Sequence, residues 1–253
     1  MEKSQLTVSR MTVMRHPSRE MMGEAVARDV AAKIRELQET QAAVSVAFAS
    51  APSQNEFLDF LREEKGIRWE RLMCFHLDEY IGLPAEAPQS FSRYLQDKLF
   101  GLRQPRQFHA IDGMNDPAAE CARYARLLAD YPLDIACIGI GENGHIAFND
   151  PHVADFRDPH PIKIVKLDET SRRQQVNDGC FAALDEVPEE ALTLTIPTIL
   201  SASSIFCTVP GERKSGAVRD ALYGPVDVKC PASVLRKAKD CRLYLDADSA
   251  SLL

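Results

Sequence analysis

No Cys-x-x-Cys pair occurs in this chain, whose seven cysteines, Cys74, Cys121, Cys137, Cys180, Cys207, Cys230 and Cys241, are odd in number and scattered. That spacing argues against both a disulfide framework and a cysteine-ligated zinc site, and predicts that most of them are small buried hydrophobes. No run approaches the roughly 18 apolar residues of a membrane helix, and the N-terminal MEKSQLTVSRMTVMRH lacks an apolar core of signal-peptide length. A soluble, cytoplasmic protein that does not engage a membrane is expected. There is no basic block either: 30 Lys and Arg against 37 Asp and Glu leave a net charge of −7. Nothing therefore marks a nucleic acid as partner, although a small anion can still be held locally. Internal repeats, low-complexity tracts and evident linkers are also missing.

What the chain does have is length and apolar content. With 253 residues, 45% of them hydrophobic, it can bury a full core, and one domain over residues 1–253 is expected. Strand-like and helix-like patterns alternate. Strands are predicted at Met11–Arg15, Ala43–Ala49, Leu72–Leu77, Ile135–Ile140, Ile162–Leu167, Leu192–Ile196, Ile205–Val209 and Arg242–Leu245. Helices are predicted at Ser18–Glu39, Asn55–Glu64, Ser90–Phe100, Asp116–Ala129, Glu169–Cys180, Glu212–Leu222 and Ala232–Arg236. Met22, Val26, Val30, Ile34 and Leu37 recur at three- and four-residue steps, which gives the first helix one buried stripe. Asp116 followed by Pro117 is a helix start signal. This alternation implies an α/β fold with a mostly parallel sheet covered by helices on both faces.

Four apolar strands run into polar segments: Ala49–Gln54, His76–Tyr80, Gly141–Asp150 and Pro210–Lys214. In a parallel sheet such ends can converge on one cleft, which is the physical argument for an enzyme. The richest of them is DIACIGIGENGHIAFNDP, Asp134–Pro151. Its G-I-G-E-N-G fits GxGxxG, but a dinucleotide fingerprint needs a helix at the third glycine, and Pro151, Pro159 and Pro161 break it. His145 is then the group to explain, with Asn143 and Asp150 beside it.

Asp78, where the third strand stops, is a candidate general base. Glu79 points the opposite way if the strand continues, and is as readily solvated or salt-bridged. Lys214 stands at the start of a predicted helix and suits a phosphate. Arg172 offers a bidentate guanidinium, with Arg173 beside it an open alternative. Ser50 and Ser53 add hydroxyls from ASAPSQ, a loop without glycine in which Pro52 removes one backbone donor.

HLDEYIGLP at His76–Pro84, GENGHIAFNDP at Gly141–Pro151, VPEEALTLTIPTIL at Val187–Leu200 and PGERK at Pro210–Lys214 together resemble the glucosamine-6-phosphate deaminase (isomerase) family, which shares a superfamily with 6-phosphogluconolactonase. The match is ordered along nearly the whole chain. DEYxGLP and GHIAFN favour the deaminase branch, since the lactonases carry a DER element and GHTASLFP at those places. The resemblance implies a modified Rossmann-like fold and conversion of glucosamine 6-phosphate and water into fructose 6-phosphate and ammonia, without organic cofactor or metal.

The same resemblance implies roles. Asp78 matches the aspartate that shuttles a proton from C2 to C1, and His145 the histidine that assists ring opening. Arg172 and Lys214 match the phosphate-binding pair. Asn143 and Asp150 stand where better-known members have an aspartate and a glutamate. Asn143 still accepts a hydrogen bond from an imidazole but does not stabilise its charged form. Asp150 is shorter by roughly 1.5 Å, one C–C bond, which predicts a water-bridged contact with the histidine. Ser50-Ala51-Pro52-Ser53 replaces the usual TG[GS][ST]. A small-molecule sugar phosphate is thus the expected partner, with a homo-oligomer as the common family state. A lactonase-type hydrolase and a non-catalytic sugar-phosphate sensor are the alternatives.

Overall fold

The computed structural model describes residues 4–253. In chain order the elements are β1 (Ser4–Val8), β2 (Met11–Arg15), α1 (Arg19–Thr40), β3 (Val44–Phe48), α2 (Asn55–Leu61), β4 (Leu72–His76), β5 (Asp78–Tyr80), α3 (Phe91–Leu95), β6 (Gln107–His109), α4 (Pro117–Asp130) and β7 (Ile135–Ile138). They continue with β8 (Ile162–Lys166), α5 (Glu169–Asn177), β9 (Glu190–Leu194), α6 (Ile196–Ser201), β10 (Ser204–Val209), α7 (Ser215–Tyr223) and β11 (Cys241–Leu245). Two helix starts follow directly from side-chain caps. Ser18 accepts from Met21 N ahead of α1, and Asp116 accepts from Ala119 N ahead of α4, with Pro117 in its first turn.

The main sheet has the order β1-β2-β11-β10-β7-β3-β4-β6. Its pairs are parallel except β1 with β2. Alternation along each strand separates two cores. Ala47, Phe75, Ala136, Ile138, Cys207 and Leu243 enter one cluster with α4 and α7 residues such as Tyr124 and Val218. Their neighbours Val46, Phe48, Cys74, Cys137, Phe206 and Tyr244 enter the other, against Met22, Val26, Val30 and Ile34 of α1 and Phe57 of α2. Each fully buried aliphatic side chain of the α1 stripe contributes about 1.5–3 kcal/mol. Helices therefore cover both faces, as the alternation predicts, and all seven cysteines are free, four of them buried. Among the described residues no helix is long and apolar enough to cross a membrane.

A second, antiparallel sheet, β5-β9-β8, lies apart from the first. It corrects two predicted strands. The run Leu72–Leu77 ends at His76, and after Leu77, whose carbonyl accepts from Leu194 N, Asp78 opens β5 in the other sheet. The strand drawn through Ile196 ends at Leu194, because Pro197 in the following segment starts α6. The helix predicted over Ser90–Phe100 is α-helical only to Leu95 and closes in a π turn at Gln96–Phe100. β1 and β6 were not expected.

Candidate active site

The main sheet reverses its order between β3 and β7: β4 and β6 follow on one side of β3, β7, β10 and β11 on the other. Phe48 is in register with both His76 and Cys137, so these strands end at one level. Ligands of open α/β sheets bind in that crevice. A cleft of about 330 Å³ occupies it, lined by Ala49–Gln54, Leu77 and Asp78, Gly139–Glu142 and Pro210–Lys214, with His145, Phe148 and part of α5 completing the wall.

His145 is placed by its own loop. The Asn143 side-chain oxygen accepts from His145 N at 3.0 Å, an Asx-type turn, and Gly144 takes φ +83 within it. The imidazole lies over Gly141, where an added Cβ would come within 2.1–2.4 Å of ring atoms. Ala147 nearby holds φ +50, a left-handed conformation uncommon for alanine.

The ring nitrogen Nδ1 meets Asn143 Oδ1 at 2.8 Å, Asp150 Oδ1 at 3.0 Å and Ser171 Oγ at 3.1 Å. The first two are acceptors only, so Nδ1 carries the hydrogen and Nε2 is the basic position of a ring that lines the cleft. Asp150 thus touches the imidazole directly, which corrects the water-bridged contact. The shorter side chain is compensated by Ser171 Oγ and Asn143 Nδ2, both of which donate to the same oxygen. Burial alone pushes the Asp150 carboxyl up, but hydrogen bonds from His145, Ser171 and Asn143, with the histidine charge, outweigh it and hold it at about 2.

Asp78 and Glu79 face opposite sides of β5, and only Asp78 lines the cleft. Among the described residues no hydrogen bond or ion pair engages the Asp78 carboxyl. Burial first, then the charge of Glu79, drives it well above the ordinary carboxylate range. Its cross-strand partner Thr193 accepts the Phe148 amide at 3.1 Å, which ties the histidine loop to the strand that carries Asp78. Glu79 is neither solvated nor salt-bridged: it is 1% exposed. It accepts from Tyr80 N, Phe91 N, Ser92 N and Ser90 Oγ at 2.8–3.1 Å and so pins the start of α3.

Lys214 also lines the cleft, buried and without an ion-pair partner among the described residues. Burial lowers its pKa, against the opposing charges of Asp178 and Glu142. Ser50 and Ser53 line the cleft as well. The Ser50 hydroxyl is buried without a partner among the described residues, while Ser53 Oγ accepts from Gln54 Nε2 at 3.1 Å.

Arg172 is not brought into this cleft. Its guanidinium donates to the carbonyls of Leu184 and Val187 at 2.8 Å. The reason is helical phase: Ser171, Gln174, Gln175 and Asp178 follow at three- and four-residue steps and turn inward, which places Arg172 on another side of α5. Arg19 enters instead. It lines the cleft, pairs with Glu56 at 2.7 Å and donates to Pro52 O, so it braces the glycine-free loop.

Sequence reasoning missed Arg19, Ser171 and Gln174, whose Oε1 accepts from Glu142 N at 3.0 Å. For Ser171 and Gln174 the available signal was the polar stripe of α5, and for Arg19, at the start of α1, there was none.

The model for glucosamine-6-phosphate isomerases/6-phosphogluconolactonase matches residues 17–244. A glucosamine-6-phosphate deaminase of Listeria monocytogenes is 40% identical over 179 residues, 70% of this chain and 74% of that protein. One from Exiguobacterium sibiricum is 38% identical over 192 residues, 74% of each chain. A solved structure described as a monomeric glucosamine-6-phosphate deaminase superposes with a TM-score of 0.87 at 31% identity, covering 95% of this chain and 99% of that one. The 6-phosphogluconolactonase of Thermotoga maritima shares the fold, with a TM-score of 0.77 at 18% identity over 93% and 99% of the two chains. By its matched length and its relatives, this chain belongs to the glucosamine-6-phosphate isomerase/6-phosphogluconolactonase family.

Proposed function

We propose that this chain, as one domain over residues 1–253, is an isomerising deaminase that converts glucosamine 6-phosphate and water into fructose 6-phosphate and ammonia. The observation that carries the proposal is the shared cleft: an unpartnered carboxyl, an oriented imidazole and a buried cation line one cavity. The substrate phosphate rests on Lys214, with the hydroxyls of Ser50 and Ser53 as further donors. His145 Nε2 moves a proton between the anomeric hydroxyl and the ring oxygen and opens the sugar. Asn143 and Asp150 hold its tautomer.

Asp78 then takes the proton from C2, which gives an enolamine, and returns it to C1. A carboxyl raised by burial suits a group that must first accept and then release a proton. The resulting C2 iminium adds water and expels ammonia. Similarity to proteins named glucosamine-6-phosphate deaminase supports this substrate.

The test is incubation of purified protein with glucosamine 6-phosphate, with ammonia and fructose 6-phosphate both measured. Equal amounts of the two are expected, and none with His145→Gln. Turnover no greater than that variant's, or hydrolysis of 6-phosphogluconolactone in its place, overturns the proposal.

A further inference from the structure

We propose that Asp150, His152 and Asp168 form a binding site for one divalent transition-metal cation beside the histidine loop. One donor atom from each of the three lies within 4.8 Å of the other two. Proximity of acidic groups alone would not make a site, but two further observations point to a ligand there.

Asp150 is fully buried. Its Oδ1 takes the contacts from Asn143, Ser171 and His145, while Oδ2 is buried with no partner among the described residues. A buried carboxylate oxygen is normally paired or on a metal. The second observation is the tautomer of His152. Its Nε2 lies 2.9 Å from Lys166 O; a carbonyl only accepts, so Nε2 carries the hydrogen and Nδ1 presents its lone pair. Fixing a ligand histidine through its other nitrogen is the usual outer support of a metal site.

Asp168 supplies the second carboxylate. It accepts from Ser171 N at 2.7 Å and from Asn143 Nδ2 at 3.3 Å, which leaves lone pairs on both oxygens. No Lys or Arg forms an ion pair with Asp150 or Asp168 among the described residues. His152 is exposed and Asp168 half-buried, so a cation can enter from solvent.

One imidazole and two carboxylates favour zinc, manganese, cobalt or nickel over calcium or magnesium. Donors around a tetrahedral ion are about 3.4 Å apart, for bonds of about 2.1 Å. The three groups therefore close by at most about 1.4 Å, within reach of His152 in its irregular loop. A cation held by Asp150 would fix the same carboxylate that grips His145 through Oδ1.

Chelator-treated full-length protein, titrated calorimetrically with Zn²⁺ and with Co²⁺, tests this without any activity readout. One equivalent is expected to bind, with Mg²⁺ and Ca²⁺ much weaker, and His152→Ala is expected to lose at least about 10-fold in affinity. Circular dichroism checks that this variant is folded. Anomalous diffraction from a zinc-soaked crystal should peak between Asp150 and His152. No saturable binding below millimolar metal, an unchanged affinity in His152→Ala, or anomalous density only at other residues would overturn the proposal.

Discussion

Replacing Gly141 by alanine should cripple the site while leaving the backbone at that position unstrained, because Gly141 has no positive φ. The added Cβ would lie 2.1 Å from Cε1, 2.2 Å from Nε2 and 2.4 Å from Nδ1 of His145, whereas ordinary contact begins near 3.4 Å. The ring must therefore retreat by about 1.3 Å, the difference between 3.4 and 2.1. It cannot do so and keep Nδ1 at 2.8–3.1 Å from Asn143, Asp150 and Ser171. Displacement of a reacting group by about 1 Å costs on the order of 10² in rate, and overpacking a tight site costs about 1–3 kcal/mol of stability. Steady-state kinetics on glucosamine 6-phosphate should show kcat down by about 10²-fold. Gly216→Ala in α7 is the control, since its added Cβ meets nothing within 4 Å. That variant should keep full activity and gain about 0.5–1 kcal/mol. A Gly141→Ala enzyme with wild-type kcat would refute the assignment of His145 as a ring whose position matters.

Asp78→Asn should lower kcat by at least about 10²-fold, while the melting temperature holds or rises because an unpartnered ionisable group is no longer buried beside Glu79; a fall in Tm would mark Asp78 as structural. Glu79→Gln should cost about 2–4 kcal/mol in urea unfolding, since one amide oxygen cannot serve four donors; near-wild-type stability would contradict its role at the start of α3. His76 gives a pH dependence: burial, with opposing effects from Glu120 and Arg123, lowers its pKa from 6.5 to about 3. Below pH 6.5 the unfolded chain takes up a proton that the buried ring, which accepts from Ile111 N, refuses. Stability is then full above that pH and falls by about 1.4 kcal/mol per unit toward pH 3. Unfolding of wild type and His76→Gln at pH 7 and pH 5 should differ by about 2 kcal/mol in that dependence, and parallel profiles would refute it.

The parallel sheet was legible because buried strands read as apolar runs, and the cleft because four of those runs end in polar segments. What was not legible depended on partners far along the chain. LMCFHLDEY reads as one strand, and only the pairing of Asp78 with Thr193 shows that it divides between two sheets. Glu79 looks like a surface charge until Ser90–Ser92, 11–13 residues later, fold over it. A search for apolar periodicity is blind to α5, whose inward stripe is Ser171, Gln174, Gln175 and Asp178. Arg172, expected from the resemblance alone, lies outside that stripe and binds the carbonyls of Leu184 and Val187. The length of Asp150 is visible in the sequence, but its contact with His145 depends on Ser171 and Asn143 beside it, which donate to the same oxygen.

The division of LMCFHLDEY has a mechanical consequence. Asp78 rides on the small sheet, whereas Lys214 follows a strand of the large one, so the span from the carboxyl to the ammonium is a distance between two sheets. Leu77 and Leu194, both buried in one core cluster, are joined by a backbone hydrogen bond where the chain passes from one sheet to the other. Repacking that seam with side chains of other sizes would lengthen or shorten the span without altering either charged group.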